Sequence, residues 1–244
     1  MVPKRRKGDV CVVPILTIGR RATRAVEAAC VHPRRERKSV SLRATDRRPD
    51  MTQRSEAPRT HCVAWQIVQT WQAAEWCRLD ESQTGIALSG AVAGAIDGAP
   101  FRIDYAIACG TDWLTRSARV TRWAGTAPPR QWDIACDAGQ WTIDGVAAPM
   151  LAGATDIDLG FSPSTNTLPI RRLALAVGES AAIRTAWLRF PDVDIVRGEQ
   201  RYTRTAPHVY RYESGTYAAD IAIDDAGLVT DYDEWRRIGA TPAP

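Results

Sequence analysis

From about residue 60 onward the apolar residues recur with a spacing of two, the pattern of β-strands that bury one face. Phe101, Ile103, Tyr105 and Ile107 alternate with Arg102, Asp104 and Ala106, and Ile157, Leu159 and Phe161 alternate with Asp156, Asp158 and Gly160. A less clear-cut run sets Ile183, Thr185, Trp187 and Arg189 against Ala182, Arg184, Ala186 and Leu188. His208, Tyr210 and Tyr212 alternate with Val209 and Arg211, and the habit continues from Tyr217 to Asp224.

Turn formers punctuate these runs: Asp97-Gly98, Cys109-Gly110-Thr111-Asp112, Asp137-Ala138-Gly139, Asp144-Gly145 and Asp224-Asp225-Ala226-Gly227. Asp tolerates left-handed geometry and Gly adopts it freely, so these are hairpin connections. The spacing predicts roughly ten to twelve strands in an antiparallel meander that must curl or close. Few segments could supply a helix, and the best of them is Leu168 to Val177. The fold class is therefore mainly β: a strongly curved antiparallel sheet, a roll or half-barrel, with one or two short helices. A sheet of this length must shield its concave face with side chains or with a ligand.

Charge divides the chain. Residues 1–50 hold 14 Lys and Arg against 5 Asp and Glu, whereas the rest holds 18 against 23, so the net charge of +4 conceals a basic start and a mildly acidic body. All three lysines (Lys4, Lys7, Lys38) lie in the first part, and every Trp, Tyr and Phe lies in the second. A nucleic-acid partner inferred from overall charge would be an averaging error. The start reads as a basic tail, as a secretory signal spoiled by Pro14, Arg20 and Arg21, or as sequence upstream of a true start at Met51. The last is the expectation: a disordered extension over 1–50 and one β domain over 51–244, working in the cytoplasm. No stretch approaches the ~18 apolar residues of a membrane-spanning helix.

Much chemistry is missing. There are three histidines, His32, His61 and His208, with no H-E-x-x-H and no C-x-x-C, so neither metal nor cofactor is expected. Cys62, Cys77, Cys109 and Cys136 are isolated, and the last two read as small buried hydrophobes. No P-loop, G-x-G-x-x-G or G-x-S-x-G is present, and the body has no lysine for a Schiff base.

Two features remain. Asp156 and Asp158 sit two apart on a strand and share a face, a spacing of ~7 Å that suits an acid and a base in glycoside hydrolysis. They equally suit a solvated face or ion pairs with Arg171 and Arg172. The segment from Phe161 to Leu173 combines loop formers, the amide of Asn166 and the guanidinium groups of Arg171 and Arg172. Such groups bind carboxylates, phosphates or sugars, or else pair with Asp156, Asp158 or Glu179. Trp113, Trp123, Trp132, Trp141 and Trp187 fall in strand-like runs, where they fill a core or line an apolar groove.

The run Asp156-Ile157-Asp158-Leu159-Gly160-Phe161-Ser162-Pro163, then Thr165-Asn166-Thr167-Leu168-Pro169-Ile170-Arg171-Arg172-Leu173, resembles a bacterial family named for glycolipid binding. Ala186-Trp187-Leu188-Arg189-Phe190-Pro191 and Gln200-Arg201-Tyr202-Thr203-Arg204 continue the likeness, with weaker matches at Trp113-Leu114-Thr115-Arg116 and Asp231-Tyr232. It spans roughly 62–238. Where the family pattern often carries Cys, this chain has Ala154. The resemblance implies a spiral β-roll similar to lipoprotein carriers, holding acyl chains in a hollow.

Three functions compete. The leading one is a non-enzymatic binder of an amphipathic small molecule, a glycolipid or acyl compound. Its head would meet Asp156, Asp158, Asn166, Arg171 and Arg172, while Trp113, Arg116 and Trp187 complete the ligand-binding set. The second is a hydrolase of lipid or sugar that uses Asp156 and Asp158. The third is an interaction protein whose roll is filled by its own side chains.

Overall fold

The computed structural model describes residues 58–67 and 71–241. The chain divides into two units, 1–51 and 52–244, and the second is the β domain. The expectations for residues 1–50 and for a start at Met51 lie outside the described residues.

Among the described residues, one sheet of fifteen strands makes up the domain. Its first half runs β1 (Arg59–Ile67), β2 (Gln72–Ser82), β3 (Gly85–Ile96), β4 (Ala99–Cys109), β5 (Thr115–Ala124), β6 (Arg130–Asp137), β7 (Gln140–Ile143) and β8 (Val146–Ala147). Its second half runs β9 (Asp156–Leu159), β10 (Ser180–Leu188), β11 (Ile195–Ala206), β12 (Val209–Ser214), β13 (Tyr217–Ile223), β14 (Val229–Tyr232) and β15 (Trp235–Ala240). Each half is a meander, and β1 pairs with β15 to join them into one curved, unclosed sheet. The sheet is thus mainly antiparallel and strongly curved, as the spacing predicts. The strand number exceeds the expected ten to twelve because β7, β8 and β14 are two to four residues long, too short to show a period.

The alternation maps onto the faces. In β4 the row Phe101, Ile103, Tyr105, Ile107 and Cys109 is buried while Arg102, Ala106 and Ala108 are exposed. Three hairpins close with two residues at positive φ, as in Asp97 (50°) and Gly98 (79°), Ala138 (47°) and Gly139 (79°), and Asp144 (52°) and Gly145 (77°). This geometry matches the right-handed twist of the strands it joins. Nothing lies within 4 Å of a Cβ built at Gly139, so Gly139→Ala is expected to cost only backbone strain, about 1 kcal/mol. A urea midpoint shifted downward without a change in slope would show it.

One pair breaks the antiparallel rule: β9 and β10 are parallel. Parallel strands cannot be joined by a hairpin, so the chain must return along the full strand length before β10 begins. Residues 160–179 make that return, through a 3-10 turn (Ser164–Asn166) and the short helix α1 (Thr167–Leu173). The helix overlaps the region where the sequence predicts one, Leu168 to Val177, starting one residue earlier and stopping short of its end. It closes at Ala174 in a left-handed cap (φ 45°). Residues 161–170 are all buried, so the return passes through the inside of the roll.

The sheet curls until β9 reaches back to β5. Thr115 N donates to Thr155 O (3.3 Å), Ile157 N donates to Thr115 Oγ1 (3.0 Å), and the Trp141 indole donates to Ala154 O (3.1 Å). Strands β6 to β8 run on past this meeting point, so the sheet spirals instead of closing as a barrel.

Candidate functional site

The return segment carries five hydroxyl or amide residues, Ser162, Ser164, Thr165, Asn166 and Thr167, all at 8% exposure or less. Buried polar groups need partners, and all of these but the Thr167 hydroxyl find them inside the roll. Ser162 Oγ donates to Glu75 Oε1 (2.6 Å) and lies 2.6 Å from Ser164 Oγ. Tyr105 Oη donates to the same Glu75 oxygen (2.5 Å) and lies 2.9 Å from Ser164 Oγ. Tyr202 Oη donates to Asn166 Oδ1 (2.8 Å), and Asn166 Nδ2 to Pro163 O (3.1 Å).

Sequence reasoning misses Glu75. It stands on the inward face of β2 among Ala73, Cys77 and Leu79, at 2% exposure, and its Oε2 has no hydrogen-bond partner. Burial lifts its pKa from 4.5 to about 8, against the hydrogen bonds from Ser162, Tyr105 and Ser164, so the acid holds its proton at neutral pH. Burial likewise raises the Cys77 thiol beside it, which leaves an inert thiol. A Cβ on Gly90 would collide with the Tyr105 hydroxyl, so β3 needs glycine here to admit that bond. The signal is present in the sequence: one carboxylate in an otherwise apolar inward row.

The arginines fasten the helix to the wall. Arg172 forks onto Asp156 (Nη2 to Oδ2 2.6 Å, Nε to Oδ1 3.1 Å), and the Asp156 side chain is fully buried. Arg171 pairs with Glu81 (2.8 Å), donates to Ala226 O (2.9 Å) and lies 4.7 Å over the Trp113 ring. Arg116 pairs with Asp112 (2.7 Å) where both side chains are about half exposed.

Between the return segment and strands β12 to β15 lies a cavity of about 380 Å³. Asp158, Asn166 and Trp187 line it, together with Trp71, Tyr212 and Tyr232. Asp158 neighbours Trp187 across the parallel pair, which puts both on the inward face. Gln200 Nε2 donates to Asp158 Oδ2 (2.6 Å) and Thr165 Oγ1 lies 3.4 Å from Oδ1. Burial raises Asp158 from 3.8 to about 6, those hydrogen bonds opposing and the nearby Asp156 charge assisting. Burial also raises the phenol of Tyr232 strongly.

Of the eight residues singled out in the sequence, the structure brings Asp158, Asn166 and Trp187 to this cavity. It sets Asp156 and Arg172 in an internal pair, Arg171 against Trp113 and Glu81, and Arg116 on the surface. Trp113, at φ 64° between β4 and β5, borders a different depression with Gln83 and Thr111. Sequence reasoning also misses Trp71, Trp235 and the tyrosines at the cavity, because an inward aromatic on a strand carries the same pattern whether it packs or lines a space. Among the described residues no cluster of three His, Cys, Asp or Glu could hold a metal, and no helix is long and apolar enough to cross a membrane.

The domain is similar to proteins of known structure. A crystal structure of a DUF1089 family protein from Pseudomonas aeruginosa is 34% identical, covers 65% of this chain and 89% of its own, and superposes with a TM-score of 0.57. A β-barrel-like protein of domain of unknown function DUF1849 from Brucella abortus aligns at 8% identity, over 75% of this chain and 96% of its own, with a TM-score of 0.45. No curated protein sequence matches significantly. The model of the family described as "Putative glycolipid-binding" matches residues 62–237. With the roll, its internal return segment and this match across the domain, the chain belongs to that family.

Proposed function

We propose that the cavity beside Asp158 binds one amphipathic small molecule, a glycolipid or acyl compound, without chemistry. The observation that carries this reading is the lining itself. Ile67, Trp71, Leu159 and Trp235 offer apolar surface at the same cavity where the Asp158 carboxylate and the Asn166 amide offer hydrogen-bonding groups. At about 380 Å³ it sits at the small end of ligand sites, sized for a head group and the first part of a chain. Six buried methylenes would contribute about 5 kcal/mol.

With residues 161–170 buried inside the roll, this reading takes Asp158, Asn166 and Trp187 as the ligand-binding set and Arg171 and Arg172 as fasteners. The hydrolase alternative would need both carboxylates of the Asp pair, yet Asp156 is committed to Arg172. Cytoplasmic action is supported by four unpaired cysteines among the described residues, as in a reducing compartment.

Native mass spectrometry of the full chain from its own host, followed by lipid extraction, tests the reading. A co-purified amphiphile near one-to-one is expected, lost in Trp187→Glu and retained in Trp113→Leu, which alters a residue outside the cavity. A bare protein mass that stays bare after incubation with acyl lipids and glycolipids would overturn it.

A further inference from the structure

The cavity has a one-sided charge inventory. Asp158 lies in its wall and Asp233 at its β14–β15 rim, while no Lys, Arg or His among the described residues borders it. Among the described residues no cation pairs with Asp158: its hydrogen-bond partners are the amide of Gln200 and the hydroxyl of Thr165. Asp233 accepts from the Tyr217 hydroxyl (2.8 Å). The nearest arginine along the chain, Arg236, is bonded to the Asp231 carboxylate and to the carbonyls of Asp233 and Trp235.

Six of the other lining residues are aromatic: Trp71, Trp187, Tyr212, Tyr217, Tyr232 and Trp235. Tyr212 meets Tyr217 and Tyr232 edge to face, with ring centroids 6.1 Å apart in each case, and Trp71 meets Trp235 edge-on at 5.6 Å. In an edge-to-face contact the edge of one ring meets the face of the other, so each pair covers one ring face and leaves the negative face of the edge-presenting ring uncovered by that neighbour. Trp187 adds an indole beside Asp158. Aromatic rings and carboxylates lining one cavity both favour positive charge, and the carboxylates repel phosphate, sulfate or carboxylate. Neutral sugar hydroxyls would find acceptors here without the charge attraction.

We propose that the ligand of this cavity bears a positive charge on its polar end, an amine or ammonium group attached to an apolar chain, in preference to neutral or anionic heads. The proposal rests on the reading of the cavity as an amphiphile site and names the head that this site selects. A cation placed beside Asp158 would also favour the ionised form of that carboxyl, which is otherwise costly to keep buried.

The test is calorimetric titration of the full chain at pH 7 and low salt with three probes of equal chain length, each below its micellar range. They are octyltrimethylammonium, octyl β-glucoside and octyl phosphate. Octyltrimethylammonium is expected to bind one-to-one at least tenfold tighter than the glucoside, and the phosphate weakest. Asp158→Asn should weaken the cation at least tenfold and leave the glucoside within about twofold. Asp233→Asn, at the rim and away from the packed interior, should weaken the cation by a smaller factor and serves where Asp158→Asn fails to fold. Equal or tighter binding of the glucoside or the phosphate overturns the charge preference while the amphiphile reading stands. A cation preference indifferent to both substitutions also overturns the inference. Saturable binding of none of the three overturns both.

Discussion

Glu75→Gln is expected to flatten the stability of the protein between pH 6 and 8, where the native chain should lose roughly 2–3 kcal/mol. The sign follows from the raised pKa of the buried acid, about 8 in the fold against 4.5 for an ordinary glutamate. Below pH 4.5 both folded and unfolded chains hold the proton, and the neutral acid contributes its hydrogen bonds to Tyr105 and Ser162 in full. As pH rises, the unfolded chain releases that proton while the folded chain retains it. Each pH unit then favours unfolding by about 1.4 kcal/mol, until the loss levels off above 8 at about 4–5 kcal/mol in total.

Asp158 acts in the same direction but over a lower window, from 3.8 to about 6. The interval from 6 to 8 therefore belongs to Glu75. Glutamine keeps an oxygen to accept from Tyr105 and Ser162 and cannot ionise, so the variant should keep only the Asp158 share of the slope below pH 6 and lose the slope above it. Urea denaturation at unit steps from pH 5 to 9 reads this directly. A native chain whose stability is level between 6 and 8 would falsify the buried neutral acid. So would a variant that is destabilised equally at every pH.

The sheet is readable in the sequence because a strand with one wet face leaves a visible alternation. The Phe101 to Ile107 row needs nothing beyond its period, and the Asp-Gly pairs at 97–98 and 144–145 mark their turns because few residues accept positive φ. The helix near Leu168 is readable as the best of the few helical candidates along the chain. The path of residues 160–173 is not. Ser, Thr, Asn and Pro in series have the composition of a surface loop, and that inference assumes water as the hydrogen-bonding partner. Here Glu75, Tyr105 and Tyr202 take the place of water, from strands far away in sequence. A guanidinium fork matches any carboxylate, so sequence does not say whether Arg171 and Arg172 meet a ligand or the chain itself. Arg172 finds Asp156, one of the partners that the sequence suggests, whereas Arg171 takes Glu81, which the sequence does not single out. Glu179 instead accepts from the backbone of Ala176 (2.8 Å) within its own turn.

The second large effect concerns that Arg172–Asp156 fork. Arg172→Ala is expected to destabilise the protein by about 3–5 kcal/mol, because it strands a carboxylate that has no exposure to water. Arg116→Ala removes a guanidinium from an equally short pair with Asp112, but those side chains are 48% and 47% exposed, so its cost should stay below about 1 kcal/mol. Removing both charges of the buried pair, as Arg172→Met with Asp156→Asn, should recover much of the loss, since the desolvation penalty disappears with the charges. Denaturant melts of the four proteins measure the contrast. An Arg172→Ala variant no weaker than Arg116→Ala would mean that the fork does not hold the return segment in place. If that same variant kept its stability but lost ligand, the guanidinium would belong to the ligand's head. The two roles make opposite demands on the measurement: a fastener of the roll changes the melting curve and reaches binding only through it, whereas a ligand contact changes binding at constant stability.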